Sequence, residues 1–149
     1  APHRLEFVAE VNGVKYFNDS KATNVDAVFY ALQSFSEKLV WIAGGTDKGN
    51  DYAAIEELVR NKVRALVAMG KDNSKIVKYF EGKISKIYDT HSIREAIEKS
   101  AAVAEKGDVV LLSPACASFD LFRNYEDRGE QFKNEVNRLK DNRKTMLVL

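Results

Sequence analysis

Val14-Lys15-Tyr16-Phe17-Asn18-Asp19-Ser20-Lys21-Ala22-Thr23-Asn24 is the stretch whose reading decides the fold. Its first four residues alternate as a strand does, and beyond it Val25, Val28, Phe29, Leu32 and Phe35 recur at helical spacing. A strand giving way to a helix is where α/β proteins bind anions. The first helical turn presents unpaired N–H groups and the positive end of the helix dipole. This junction adds a carboxylate, a lysine and small hydroxyls. Lys21 suits an anionic group, and Asp19 a ribose hydroxyl or a cation-bound water. The competing reading has Ser20 or Thr23 capping the helix while Lys21 faces water.

Upstream, Leu5 to Val11 alternates apolar and polar, and Asn12-Gly13 is a two-residue hairpin signal returning into Val14 to Phe17. Downstream, strands are expected at Lys38 to Ala43, Val63 to Met69, Ile84 to Tyr88 and Val109 to Leu112. Helices are expected at Tyr52 to Arg60 (with Ile55, Leu58 and Val59 inward), Asn73 to Phe80 (with Ile76, Val77 and Phe80 inward), Ser92 to Glu105 and Arg128 to Lys140. Ser92 and Glu95 make a capping box. The apolar tail Thr145 to Leu149 reads as an edge strand or simply the end of the chain. Short strands alternating with helices predict an α/β, three-layer Rossmann-like domain with a mostly parallel mixed sheet and an N-terminal β-hairpin. One domain is expected over residues 1–149.

The chain has 149 residues, with 23 Lys plus Arg against 22 Asp plus Glu, so its net charge is +1. That balance makes no case for nucleic acid or an anionic membrane. No apolar run is long enough to span a bilayer, and no basic-then-apolar leader is present. The single cysteine, Cys116, fits a reducing cytoplasm and is expected as a small buried thiol. With His3 and His91 it forms neither a nucleophile dyad nor a metal cluster of recognisable spacing. The start at Ala1-Pro2, close to the first strand, suggests a domain cut from a longer polypeptide.

In a doubly wound sheet, ligands bind beyond the carboxyl ends of the strands. The loops expected there are Asn18 to Asn24, Gly44 to Asp51, Gly70 to Asn73 and Ser113 to Tyr125. Gly44-Gly45-Thr46-Asp47-Lys48-Gly49-Asn50 lacks the spacing of a phosphate-binding Walker loop, and its first two glycines permit positive φ at a strand end. Lys48 is its charge-bearing member. In Ser113-Pro114-Ala115-Cys116-Ala117-Ser118-Phe119-Asp120, small residues allow close backbone approach. Ser118 suits either a helix cap or, through its N–H, a carboxylate. Phe119, Phe122 and Tyr125 read as packing aromatics. Asp120, Glu126, Asp127 and Glu130 read as a solvated acidic rim.

These loops resemble the C-terminal domain of the Mur ligase family, in its D-glutamate-adding branch, over nearly the whole chain. The resemblance rests on Pro2-His3-Arg4, Asn18 to Asn24, the Gly44-Gly45-x-Asp47-Lys48-Gly49 loop, Leu112 to Ser118, and Asn124-Tyr125-Glu126-x-Arg128-Gly129 followed by Phe132. It implies an ATP-dependent amide ligase of cytoplasmic peptidoglycan synthesis. There the carboxylate of UDP-N-acetylmuramoyl-L-alanine becomes an acyl phosphate, which the amine of D-glutamate attacks, and Mg2+ is required. It further implies that Thr23, Lys48, Ser118, Phe119 and Tyr125 form the D-glutamate pocket. Arg4, Asp19 and Lys21 would close on ATP, Arg4 near the phosphates and the other two near the ribose.

Phe119 stands where leucine is common in the family, and Tyr125 where phenylalanine is common; both keep apolar bulk. The phosphate loop, most Mg2+ ligands and the uridine site belong to the family's central and N-terminal domains, so neither catalytic residues nor a metal site are expected within this chain. Two rivals stand beside this reading. One is another Mur ligase or a folylpolyglutamate synthetase-like ligase. The diaminopimelate-adding branch is disfavoured by the lack of an Asp-Asn-Pro-Arg loop. The other is a non-catalytic Rossmann-like binding module. NAD is disfavoured because no Gly-x-Gly-x-x-Gly opens the first strand–helix turn.

Overall fold

A computed structural model of the chain describes residues 1–148, with side chains through 144. Six strands form one sheet in the order β1-β2-β6-β3-β4-β5. β1 (Glu6–Val11) and β2 (Val14–Asn18) are the expected antiparallel hairpin. Asn12 and Gly13 both take positive φ, 53° and 78°, as the tight turn requires. β2 runs parallel to β6 (Val109–Leu112), which is parallel to β3 (Leu39–Ala43). β4 (Val63–Met69) and β5 (Ile87–Thr90) continue the parallel run. The carboxyl ends of five strands therefore share one edge.

Alternate residues of the central strands face opposite layers. Leu39, Trp41, Leu66 and Leu111 pack under α1 (Val25–Gln33), a 3₁₀ turn at Tyr52–Ile55, α2 (Glu56–Lys62) and α3 (Ser74–Phe80). Val40, Ile42, Val67 and Val110 pack under α4 (Ile93–Val103) and α5 (Tyr125–Val148). The strands are apolar on both faces because both are covered. The three expected layers are present.

A bulge between Phe7 and Ala9 breaks the simple alternation of β1. It reverses the phase of the strand, so Ala9 and Val11 join the α5 layer while Phe7 stays half-exposed, edge-on to Phe17. Several expectations shift. Phe29 is exposed, and Ala31 takes the buried position on α1 beside Val28 and Leu32. Leu58 and Val77 are only half-buried. The expected helix at Tyr52 opens as a 3₁₀ turn capped by Asp51. β5 begins at Ile87, not Ile84, because residues 81–84 form a turn in which Lys83 and Ile84 donate back to Phe80. The Ser92 hydroxyl accepts from Glu95 N–H, but the Glu95 carboxylate turns to His91 N–H, so only half of the capping box forms. α5 starts earlier than expected because the Asn124 side chain caps it through Asp127 N–H. With neither Gly nor Pro after Gly129, the helix runs through Val148, so the tail is helical and not an edge strand; Leu149 lies outside the described residues.

Candidate functional site

The crossover through α4 carries the chain from one face of the sheet to the other. The loops leaving the adjacent strands β3 and β6 therefore diverge toward opposite layers, the arrangement that opens a crevice at the carboxyl edge. All four expected loops emerge there. Main-chain hydrogen bonds cross-link three of them. Gly44 N–H donates to Pro114 O at 3.0 Å, Thr46 N–H to Ala117 O at 2.8 Å, and Ala115 N–H to Ala22 O at 2.9 Å. Gly44 and Gly45 adopt φ of 132° and 135°, and a Cβ on Gly45 would collide with Ala117 O, so only glycine lets these loops approach. Ala115 itself sits at φ 64°, a conformation that alanine holds only under tertiary constraint.

The first loop is tied both to itself and to its neighbours. Asp19 N–H donates to Leu112 O, Ala22 N–H to Asp19 O, and Lys21 N–H to His3 O. The competing reading of this loop is corrected: Asn24, not Ser20 or Thr23, caps α1 by accepting from Ala27 N–H at 2.9 Å. The Ser20 hydroxyl instead donates to Tyr125 O at 2.6 Å. That leaves Thr23 exposed with its hydroxyl unbonded among the described residues. Lys21 is exposed too, and no carboxylate among the described residues pairs with it.

Asp19 is 4% exposed and engaged on both oxygens, by Leu5 N–H at 3.1 Å and by the Ser113 hydroxyl at 2.8 Å. Burial pushes its carboxyl up to about 6, against the pull of the Ser113 and Leu5 donors and the Arg4 charge. It thus anchors the Arg4-Leu5 segment to the end of β6. Arg4, exposed, shares with Asp19, Ala22 and Tyr30 a cleft of about 200 Å3 against α1.

In the second loop, Asp47 is internal glue. It accepts from Gly49 and Asn50 N–H, from Lys75 Nζ at 3.0 Å and from the Tyr52 hydroxyl at 2.7 Å, which together hold it below the ordinary carboxylate range despite burial. Lys48, exposed at the tip, has no hydrogen-bond or ion-pair partner among the described residues. Asn50 reaches across to Ala115 O at 2.9 Å. Cys116 is the expected buried thiol, beside the Tyr52 hydroxyl and pushed up to about 11 by burial.

In the loop after β6, Ser118 is 2% exposed, and its hydroxyl has no partner among the described residues. A turn follows it in place of the capped helix that was one of its readings; Phe122 N–H returns to Ser118 O. Phe119 is 66% exposed, against its reading as a packing aromatic, while Phe122 packs on the α5 layer as expected. Tyr125 is half-buried, edge-on to His3 at 6.0 Å. Asp120 does not belong to a solvated rim: it accepts Lys71 N–H at 2.9 Å and pins the Gly70 loop. Asp127 accepts from Arg123 N–H and Gln131, while Glu126 and Glu130 are exposed.

Arg128 entered the sequence reading only within a motif and as a helix start, with no role assigned to it. It is 1% exposed, and its guanidinium donates to the Ser20 hydroxyl at 2.9 Å, Ser20 O at 2.7 Å and Cys116 O at 3.0 Å. It clamps the first loop to the loop after β6 with no carboxylate in the fork, and burial draws it down to about 10. The available signal was its position: Arg128, Phe132 and Val136 lie at four-residue spacing on one buried stripe of α5.

The edge therefore presents Arg4, Lys21 and Lys48 as exposed cations beside free Thr23 and Ser118 hydroxyls. That set of donors suits an acceptor-rich anionic ligand such as a nucleotide or a dicarboxylate. Among the described residues, no three or more His, Cys, Asp or Glu side chains come together at metal-binding distance.

The profile of the family described as "Mur ligase, glutamate ligase domain" matches residues 3–116. UDP-N-acetylmuramoylalanine–D-glutamate ligase of Cytophaga hutchinsonii is 62% identical over 136 residues, which cover 91% of this chain and 30% of that protein. Its namesake from Porphyromonas gingivalis is 60% identical over 135 residues, again 91% of this chain and 30% of that one. The chain thus spans about 30% of the length of these curated relatives. Among solved structures, E. coli FolC in complex with DHPP and ADP superposes with a TM-score of 0.63 at 14% identity, covering 93% of this chain and 32% of that one. MurF ligase from Thermotoga maritima in complex with ADP gives 0.56 at 18% identity, with the same coverages of 93% and 32%. At such identities these two likenesses carry the fold alone.

Proposed function

The chain belongs to the Mur ligase family, and from that premise we propose that it serves a cytoplasmic ATP-dependent ligase that joins D-glutamate to UDP-N-acetylmuramoyl-L-alanine in peptidoglycan synthesis. The relatives that support this assignment carry the ligase name along their full length, of which this chain corresponds to about 30%. In the proposed enzyme this domain supplies the D-glutamate pocket and part of the ATP site, and central and N-terminal domains supply the rest. The observation that carries the reading is the cross-linked set of loops holding Thr23, Lys48 and Ser118 on one edge, with their polar ends unspent.

Lys48 and the Ser118 loop receive the two carboxylates of D-glutamate, with the Thr23 hydroxyl beside them. Phe119 and Tyr125 close the pocket with apolar surface and exclude water. Fixing both carboxylates leaves the amine as the free nucleophile and orients it, which converts a bimolecular encounter into an aligned one. Arg4 meets the ATP phosphates, and Lys21 lies near the ribose. Asp19, engaged internally on both oxygens, acts chiefly by holding the Arg4 segment in register, and its expected ribose contact draws on the lone pairs that remain. ATP, with Mg2+ held mainly by the central domain, supplies the phosphoryl group that activates the acceptor carboxylate. Domain closure would complete a pocket that this chain holds only in part, so the chain alone is expected to give no turnover.

Phosphate release by the full-length enzyme, followed over a panel of amino acids, tests the proposal. Release should require D-glutamate. Lys48→Ala should raise the KM for D-glutamate by at least about tenfold, the weight of one charge-assisted hydrogen bond. It should leave folding unaffected, since Lys48 has no internal partner among the described residues. Release driven equally by L-glutamate or another amino acid, or an unchanged KM in the variant, would overturn the assignment.

A further inference from the structure

The sheet edge opposite the candidate site carries a cavity of about 330 Å3 between the β1–β2 hairpin, the end of α4 and α5. Its size lies at the small end of small-molecule sites. Val11, Val14 and Leu139 make apolar walls, and Ala101 of α4 and Ala104, its C-cap, keep the space open. Tyr16 lines it, 1% exposed, yet its hydroxyl bonds to nothing among the described residues. The hydroxyl oxygen itself is not sealed off, so its unspent donor is open to whatever fills the space. Burial pushes it up to about 12, so it stays a neutral donor at physiological pH.

Charge points the same way. Lys106 and Arg143 line the cavity, and no described Asp or Glu does. The carboxylates flanking Lys106 are already occupied: Arg64 holds Glu105 at 2.9 Å and Asp108 at 2.7 Å. Arg143 is steadied at the rim by donating to Asn12 Oδ1 at 3.0 Å. The stem of Lys106 lies against Gly13, where a Cβ would approach its Cγ to 2.6 Å.

We propose that this cavity binds a small organic anion with an apolar body, a carboxylate of the arylalkanoate type, its head group held by Tyr16, Lys106 and Arg143. An acceptor is required because Tyr16, Lys106 and Arg143 bring donors, and the one side-chain acceptor on the lining, Asn12 Oδ1, is already taken by Arg143. An apolar body is required because the remaining wall is aliphatic. The site shares no residue with the loops at the other edge and stands independently of the ligase reading.

Nuclear magnetic resonance titration of the isotopically labelled protein with 3-phenylpropionate, against its neutral isostere 3-phenylpropionamide, tests it. Saturable shifts at Gly13, Ala101 and Ala104 are expected, with the carboxylate binding about tenfold or more tighter than the amide. Tyr16→Phe, which removes one oxygen, and Arg143→Gln should each weaken the carboxylate by about tenfold while melting near the parent temperature. Should Tyr16→Phe fail to fold, Arg143→Gln and the carboxylate-to-amide ratio decide. No shift at millimolar carboxylate, equal binding of the amide, or undiminished binding in the folded variants would overturn the proposal.

Discussion

Asp19 and Arg128 are opposite charges buried at the same edge, and each spends its polar atoms on neighbouring loops rather than on water or on a salt bridge. The Asp19 carboxyl, raised to about 6 from an ordinary 3.8, binds its proton more tightly folded than unfolded. Its contribution to stability is therefore full below about pH 4 and lost as the pH rises through 6. Relative to Asp19→Asn, which keeps the shape without the charge, the parent should lose about 2 kcal/mol between pH 4 and pH 7. Urea midpoints of the two proteins across that range measure it, and parallel curves would refute it. Arg128→Met should cost about 3 kcal/mol, because it strands Ser20 O and Cys116 O without their donors in a dry site. Arg128→Lys should recover less than half of that loss, since an ammonium cannot span the three acceptors of the fork. The same urea titrations report both.

At the scale of elements, α5 joins the candidate site to the rest of the layer. Glycine inside a helix ordinarily costs about 1 kcal/mol against alanine, yet Gly129 lies within the first turns of this one. A Cβ there would collide with the His3 imidazole and crowd Asn18 Nδ2 at 3.0 Å. His3 in turn accepts from Asn18 Nδ2 at 2.9 Å through Nδ1 and offers its carbonyl to Lys21 N–H. Gly129→Ala should therefore destabilise by about 2 kcal/mol, reversing the usual helix preference, because the His3 segment has nowhere to move without breaking those bonds. Thermal unfolding of the variant gives the sign directly. A stabilised Gly129→Ala would mean that the N-terminal segment is held by something other than this contact. The hairpin shows the same logic, since one bulge in β1 assigns Phe7 and Ala9 to different layers.

For the whole molecule, two hydrophobic layers share one sheet, and neither can keep its strands once the other is lost. Trp41, the sole tryptophan, sits fully buried on β3 with its indole N–H donating to Ser113 O at 2.7 Å. It therefore reports on the α1–α3 layer and on the first residue after β6. Its fluorescence and the far-ultraviolet circular dichroism should follow one coincident urea transition, as expected of a single cooperative unit of this size. Separated midpoints would show that the layers unfold apart. The sheet also keeps the two ligand-sized features at opposite edges: the loops with Lys48 and Ser118 at the carboxyl ends, and the cavity under Tyr16 at the amino ends.

The order of strands and helices, the hairpin turn, the parallel sheet and the loops that carry Thr23, Lys48 and Ser118 were all legible in the residues. Each is written locally, in alternation, helical spacing, an Asn-Gly turn and small residues at strand ends. The bulge that rotates Phe7 outward, the exposure of Phe119, the Asn24 cap that frees Thr23, and the burial of Arg128 were decided by tertiary contacts. Arg128 is an ordinary surface residue by type and becomes a core clamp only because folding brings Ser20 O and Cys116 O, distant in sequence, to the same point. Local patterning specifies which segments form elements. What a polar side chain does depends on which acceptors the packed sheet delivers to it, and no periodicity in the chain encodes that meeting.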